Sequence, residues 1–238
     1  MATAEGIQNF RIVLLGGRWA GKSSTGNTIL RRKAFAEGKQ TLVCAREEGE
    51  VAGRRVSVVD TPSWNWVPAE DTSDEVKDEL KRSVTLFDDG GPHALLIVYP
   101  MGSPFVKRHR VAVEEHLELI GENVWRHTIV LFSRGDWLGD TTIEEHIEKG
   151  GNDLKWLVEK CGNRYHVLNN KSDDITQVTE LLEKIEELVK EVHEMRVKRR
   201  NSREPPPNMS AEIPAPEVGE PSTGGTPTEA KTDTGDTK

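Results

Sequence analysis

Residues 10–15 read Phe-Arg-Ile-Val-Leu-Leu, an apolar run broken once. Such a run suits a strand buried on both faces of a parallel sheet. It recurs at 94–99, the most apolar of the set and therefore placed near the sheet centre, and at 127–132. Residues 55–60 and 164–168 form two further strands, while 41–51, interrupted by Arg46, Glu47, Glu48 and Glu50, reads as an edge strand. Ala52-Gly53 turns it into 55–60 as a β-hairpin. Helical spacing fills the gaps. Residues 24–32 form a helix ending in a basic turn. Thr72-Ser73-Asp74-Glu75 opens another as a capping box, running to about Phe87 with Val76, Leu80, Val84 and Phe87 on one face. Residues 106–120 are amphipathic, with Val113, Leu117 and Ile120 inward, and 140–161 is helical but broken at Gly150-Gly151. The last helix, 174–199, carries Ile175, Val178, Leu182, Ile185, Val189 and Val192 at three- and four-residue steps. Leu181, Leu188 and Met195 widen that stripe, which favours packing on a sheet over a coiled-coil seam.

Strands alternating with helices predict a doubly wound, mostly parallel α/β sheet, whose ligands bind beyond the carboxyl ends of the strands. The turn after the first strand is Gly16-Gly17-Arg18-Trp19-Ala20-Gly21-Lys22-Ser23, followed by Ser24. It fits G-x-x-x-x-G-K-[ST], a phosphate-binding loop in its proper strand–loop–helix setting. Glycines let the backbone close round a phosphate, amide N–H groups form an anion nest, and the helix points its positive end there. Lys22 reaches the β- and γ-phosphates, and the Ser23 hydroxyl is a hard oxygen ligand for Mg²⁺. Asp60 ends the hairpin's second strand, where an acid holds Mg²⁺ through water in P-loop proteins. Thr41, in the segment between, either closes its hydroxyl on the same ion or simply opens a strand. Ser133-Arg134-Gly135-Asp136 and Asn169-Asn170 follow the last two strands. Four loops distant in sequence are thus expected to converge on one rim. The Asp136 carboxylate can accept two hydrogen bonds from guanine, a pair that adenine does not offer.

Composition modifies this picture at the ends. Hydrophobic residues make up 35% of the 238, which points to a core-bearing segment diluted by solvated sequence, and the formal net charge of −8 gives no support for non-specific nucleic-acid binding. Two isolated cysteines, Cys44 and Cys161, suggest a reducing compartment without a disulfide framework. No signal peptide, lipidation motif or membrane-spanning run is read, so the expectation is a cytosolic protein. Residues 201–238, rich in Pro, Thr, Glu, Gly and Ser, read as a disordered tail, leaving a folded unit over 7–200. Arg196, Lys198, Arg199, Arg200 and Arg203 form a basic cluster that is either a solvated helix end or an attraction for anionic lipid or acidic partners, hence a route to peripheral membrane contact. Trp64 and Trp66 either tuck under the next helix or form an exposed partner patch, burial being favoured.

Several further motifs resemble one family. Ser24-Thr25-Gly26-Asn27-Thr28-Ile29-Leu30, Thr41-x-x-Cys44, Gly91-Pro92-His93-Ala94-Leu95-Leu96, Phe132-Ser133-Arg134-Gly135-Asp136 and Arg164-Tyr165-His166-Val167-Leu168-Asn169-Asn170 are similar to blocks of the immunity-associated (GIMAP) GTPases, with their avirulence-induced type of G domain. The resemblance covers about residues 7–200 and implies GTP/GDP and Mg²⁺ as ligands. It assigns Ser23, Thr41 and Asp60 to the metal, Asn169 or Asn170 to the base, and a GTP-dependent homo-oligomer through the G domains. Three departures imply slow hydrolysis. Ser63 replaces the Gly of the third motif, Trp64 stands where Ras-like enzymes place a water-orienting Gln, and Gly102-Ser103-Pro104-Phe105 lacks the family's Arg. Arginine fingers contribute roughly 10³–10⁵ in rate. A GTP-binding scaffold with negligible hydrolysis is the alternative.

Overall fold

The computed structural model describes residues 6–201 apart from 89 and 122; the expected disordered tail, but for Asn201, lies outside them. Six strands form one sheet in the order β2-β3-β1-β4-β5-β6. β1 (Asn9–Leu15) runs parallel to both β3 (Arg54–Asp60) and β4 (Ala94–Pro100), which puts the two most apolar runs side by side. β5 (Thr128–Ser133) and β6 (Tyr165–Val167) continue the parallel side, and β2 (Ala45–Val51) pairs antiparallel with β3 at the other edge. The register matches Leu14 with Asp60 and Pro100 with Ser133, so the strands end together at one rim.

Alternation along β1 divides the core. Phe10, Ile12 and Leu14 face α1 (Lys22–Leu30) and α6 (Thr176–Asn201). Val13 and Leu15 belong to the opposite layer with α2 (Asp74–Ser83), α3 (Lys107–Glu118) and α5 (Gly151–Lys160). α4 (Ile143–Lys149) precedes α5, and the break between them falls at Gly150, as the Gly150-Gly151 pair predicts. The α6 stripe packs as expected at Val178, Leu181, Leu182, Ile185, Leu188 and Val192, whereas Ile175 and Met195 at its ends are exposed. Cys44 and Cys161 are free and buried.

Other expectations need correction. The capping box does not form: Ser73 is the N-cap of α2 and makes no side-chain cap bond. The Thr72 hydroxyl instead pairs with His116 Nε2 at 2.8 Å inside the protein, a tertiary partner that outcompetes the local one. That helix stops at Ser83, although Phe87 is buried beyond it. Strand β2 starts at Ala45, so residues 41–44 are loop. Arg31 and Arg32 lie past the end of α1, with Arg31 as its left-handed C-cap. The hairpin turn has φ of 50° at Ala52 and 73° at Gly53, the positive pair that a tight two-residue hairpin demands.

Candidate functional site

The first loop is shaped by what its glycines permit. A Cβ on Gly16 would lie 2.6 Å from the Val98 carbonyl oxygen on β4, so only glycine lets the loop pass. Gly21, at φ 90°, is the N-cap of α1 and turns the chain into the helix. Trp19 holds a left-handed φ of 66° without being glycine, and its ring is exposed. Lys22 is buried. Its Nζ donates to the Gly16 carbonyl at 3.2 Å and to Ser63 Oγ at 2.5 Å. Burial brings its pKa down to about 8, against the pull of nearby Asp60. A phosphate placed there would restore the ammonium's full basicity.

Asp60 is the second component. Ser23 Oγ donates to its Oδ2 at 2.7 Å and Thr41 Oγ1 to the same oxygen at 3.0 Å. The three residues expected to hold a metal therefore meet, although they come from α1, the following loop and the end of β3. Asp60 Oδ1 is buried with no hydrogen-bond partner. Burial raises its pKa, opposed by Ser23, Lys22 and Thr41. Two hydroxyls and a carboxylate with an orphaned oxygen form a hard-oxygen donor set that suits Mg²⁺.

The third-motif loop is fastened to the first. Arg18 N–H donates to the Trp64 carbonyl at 2.9 Å. Trp64 is buried and stacks on His116 of α3 at 4.9 Å between centroids. Trp66 sits where a Cβ on Gly17 would be, 2.0 Å from such an atom, and contacts His109 and Tyr99. The tryptophans do tuck inward, but against α3 rather than the next helix. Residue spacing gave no signal for the Ser63–Lys22 and Trp66–Gly17 contacts.

On the other side of the first loop, Ser133 Oγ donates to the Ala20 carbonyl at 2.7 Å, tying the fourth motif to it. Gly135 passes close to β6, since a Cβ there would meet Val167 Cγ1 at 2.8 Å. Arg134 N–H donates to Asn170 Oδ1 at 2.9 Å, and Asn170 Nδ2 reaches Thr25 and Thr28 of α1. Asn170 thus braces the loops, while Asn169 Oδ1 accepts from Lys171 N–H at 3.0 Å. Asp136 Oδ2 receives Lys171 Nζ at 2.6 Å. Lys171, which the sequence reading did not single out, is the present partner of the candidate base-reading acid. The Arg134 guanidinium lies over the Trp137 ring, 5.2 Å from its centroid. Ser24 and Asn170 both line a cavity beside α1.

A P-loop with a buried lysine, a hydroxyl–carboxylate cluster behind it, and an acid on the loop after β5 define a G domain of the P-loop class. The sequence profile of the AIG1 family matches residues 10–211, and the chain belongs to that family. It is 36% identical over 193 residues to human GTPase IMAP family member 8, covering 77% of this chain and 28% of that protein. It is 31% identical to Arabidopsis thaliana immune-associated nucleotide-binding protein 5, covering 78% of this chain and 62% of that one. The chain therefore spans just over a quarter of the first relative's length. Among solved structures, Toc33 from Arabidopsis thaliana in complex with GDP and Mg²⁺ shares the fold, with a TM-score of 0.61 at 16% identity over 77% of this chain and 85% of that one.

Proposed function

We propose that this G domain binds GTP and GDP with Mg²⁺ and works as a slow GTPase switch or assembly module. One observation carries the reading: the Ser23–Thr41–Asp60 cluster, with its unsatisfied Asp60 Oδ1, lies beside Lys22 at the rim that also bears Asp136. In this reading Lys22 and the loop amides hold the phosphates, Ser23, Thr41 and Asp60 hold the ion, and Asp136 selects guanine. When bound, the ion supplies charge neutralisation at the phosphates. Hydrolysis is slow because the residue after Ser63 is Trp64, buried against His116, where it orients no water. That same observation supports the second reading, a GTP-binding scaffold without useful turnover.

Self-association is part of the proposal. Trp19, Leu42, Val43 and Trp137 are 66%, 70%, 59% and 58% exposed on loops of the nucleotide-site rim. Exposed large apolar side chains around one site mark a contact surface. Toc33 and its relatives supply an analogy, since dimerization matters for the GTPase activity of atToc33 and psToc159. No described helix is long and apolar enough to cross a membrane. A cytosolic setting with peripheral membrane contact is the proposed location.

The test is nucleotide affinity and single-turnover GTP decay at several protein concentrations, with and without Lys22→Ala. Tight GTP and GDP binding that Lys22→Ala abolishes, weak ATP competition and slow, concentration-dependent decay are expected. Retained GTP after purification selects the scaffold reading, and GDP selects the switch. Indifference to GTP refutes both.

A further inference from the structure

At the sheet edge opposite the nucleotide loops, a second cavity of ≈ 600 Å³ opens beside the first residues of β4 and β5. Small-molecule sites typically occupy about 300–1,000 Å³. Leu95, Val124 and Val192, all buried, give it an apolar floor. Arg11 and Arg196 put two guanidinium cations on its rim, among the imidazoles of His93, His127 and His193. A smaller adjoining cavity of ≈ 120 Å³ shares His127 and Arg196 and adds Arg126 and Arg199. Among the described residues no carboxylate lines either cavity, and none of these four arginines makes an ion pair. In a chain of net charge −8, such a concentration of unpaired cations needs a reason.

The two imidazoles sharpen it. Arg11 N–H donates to His93 Nδ1 at 3.1 Å while His93 N–H donates to the Arg11 carbonyl at 2.8 Å. This reciprocal pair makes Nδ1 the acceptor, so the neutral ring carries its proton on Nε2 as a free donor. His127 Nδ1 is buried and makes no hydrogen bond of regular geometry among the described residues, although the His93 backbone lies close enough to favour its protonated form. Arg11 is anchored through Nε to the Gly91 carbonyl at 2.8 Å, which orders its guanidinium at the rim. Unpaired buried nitrogens and crowded cations are both unfavourable until an anion completes them. Burial, then Arg11, holds His93 down at about 4, and burial, then Arg196, lowers His127.

We propose that this cleft binds a small phosphate monoester with an apolar body, the dianion held by Arg11, Arg196, His93 and His127 and the body lying on Leu95, Val124 and Val192. Several arginines around one cavity match a dianion better than a single carboxylate, and guanidinium forks fit phosphate oxygens bidentately. The Pro92-His93 turn, which the nucleotide site does not use, thereby acquires a role: it presents an imidazole donor at the mouth of the cleft.

The test titrates the full chain, saturated with GDP and Mg²⁺ so that the P-loop is filled, with phenyl phosphate. The readout is the imidazole NMR signals of His93 and His127. Saturable binding that moves both rings' signals is expected, with His127 shifting toward the protonated form and His93 staying neutral, its Nδ1 still accepting from Arg11 and its Nε2–H donating to the phosphate. Inorganic phosphate, phenol and benzoate should each bind about tenfold or more weakly. The exposed Arg196→Gln should weaken phenyl phosphate about five- to tenfold, while Lys190→Gln on the same helix leaves it unchanged. Absence of saturation, equal loss in the two variants, or benzoate binding as well as phenyl phosphate overturns the proposal. It does not rest on GTP binding: if GDP fails to load, the titration is run on Lys22→Ala, whose P-loop no longer competes for phosphate.

Discussion

Replacing Asp136 by Asn exchanges one carboxylate acceptor for an amide donor at the position expected to read guanine. Asp136 is a quarter exposed and holds Lys171 Nζ at 2.6 Å. Guanine's ring N–H and exocyclic amino group would each give it a charge-assisted hydrogen bond, about 1.5–3 kcal/mol apiece. Partial exposure and the displacement of Lys171 reduce the sum, so the net loss in Asp136→Asn is about 3 kcal/mol, roughly a 10²-fold weaker GDP complex. Xanthine carries a carbonyl where guanine carries the amino group, so the Asn variant should prefer XDP. Displacement of a fluorescent GDP analogue by GDP, XDP and ADP measures all three affinities. Lys171→Gln separates selection from competition, because removing the competing ammonium should leave GDP binding equal or tighter. GDP affinity in Asp136→Asn within about threefold of the parent, or ADP binding as well as GDP to the parent, refutes the assignment of guanine selectivity to this acid.

Ser63→Gly removes the side-chain partner of Lys22, which then keeps only the Gly16 carbonyl. GDP affinity should rise by up to about tenfold, the worth of one charge-assisted hydrogen bond to a hydroxyl; stopped-flow binding that shows no gain contradicts the competition. Gly17→Ala puts a methyl 2.0 Å from Trp66. It should cost about 1–3 kcal/mol in urea unfolding in the parent chain and much less in a Trp66→Ala background, and additive effects would deny the contact. His166 is buried, its Nε2 2.7 Å from the Gln177 carbonyl, and burial brings its pKa down to about 4. Its neutral form is favoured in the folded state, so the unfolded state binds the extra proton. Stability from this group should be intact above about pH 6.5 and fall as pH drops toward 4, by about 2 kcal/mol at pH 5; a flat urea midpoint between pH 7 and 5 rules this out.

The elements legible in sequence are those set by local pattern. The apolar runs at 10–15, 94–99 and 127–132 became β1, β4 and β5 because a doubly covered parallel strand has no polar face to misplace. Asp60 and Thr41 met at Ser23 because the topology rule brings strand ends to one rim. Element ends slipped by a few residues, and the three side-chain misses share one cause, a side chain that finds a distant partner. Thr72 left its helix for His116, 44 positions away, and Ser63 reached Lys22 across 41. Lys171 took Asp136 across 35. Hydrogen-bond partners at such separations leave no periodic trace.

One of those unforeseen contacts decides which loop can answer to nucleotide. The backbone of Trp64 is bonded to Arg18, and Trp66 is lodged over Gly17, so residues 64–66 are held on the P-loop itself. Among the described residues, 38–43 have no such anchor beyond the Thr41 hydroxyl on Asp60, and Leu42 and Val43 stand exposed. A γ-phosphate should therefore act through the first of these loops: residues 38–43 should gain amide-exchange protection on replacing GDP with a non-hydrolysable GTP analogue, while 64–66 change little. Trp66→Ala should release the second loop and make its exchange nucleotide-dependent. Protection gained at 64–66 but absent at 38–43 in the parent chain would reverse the assignment and make the tryptophan loop the sensor.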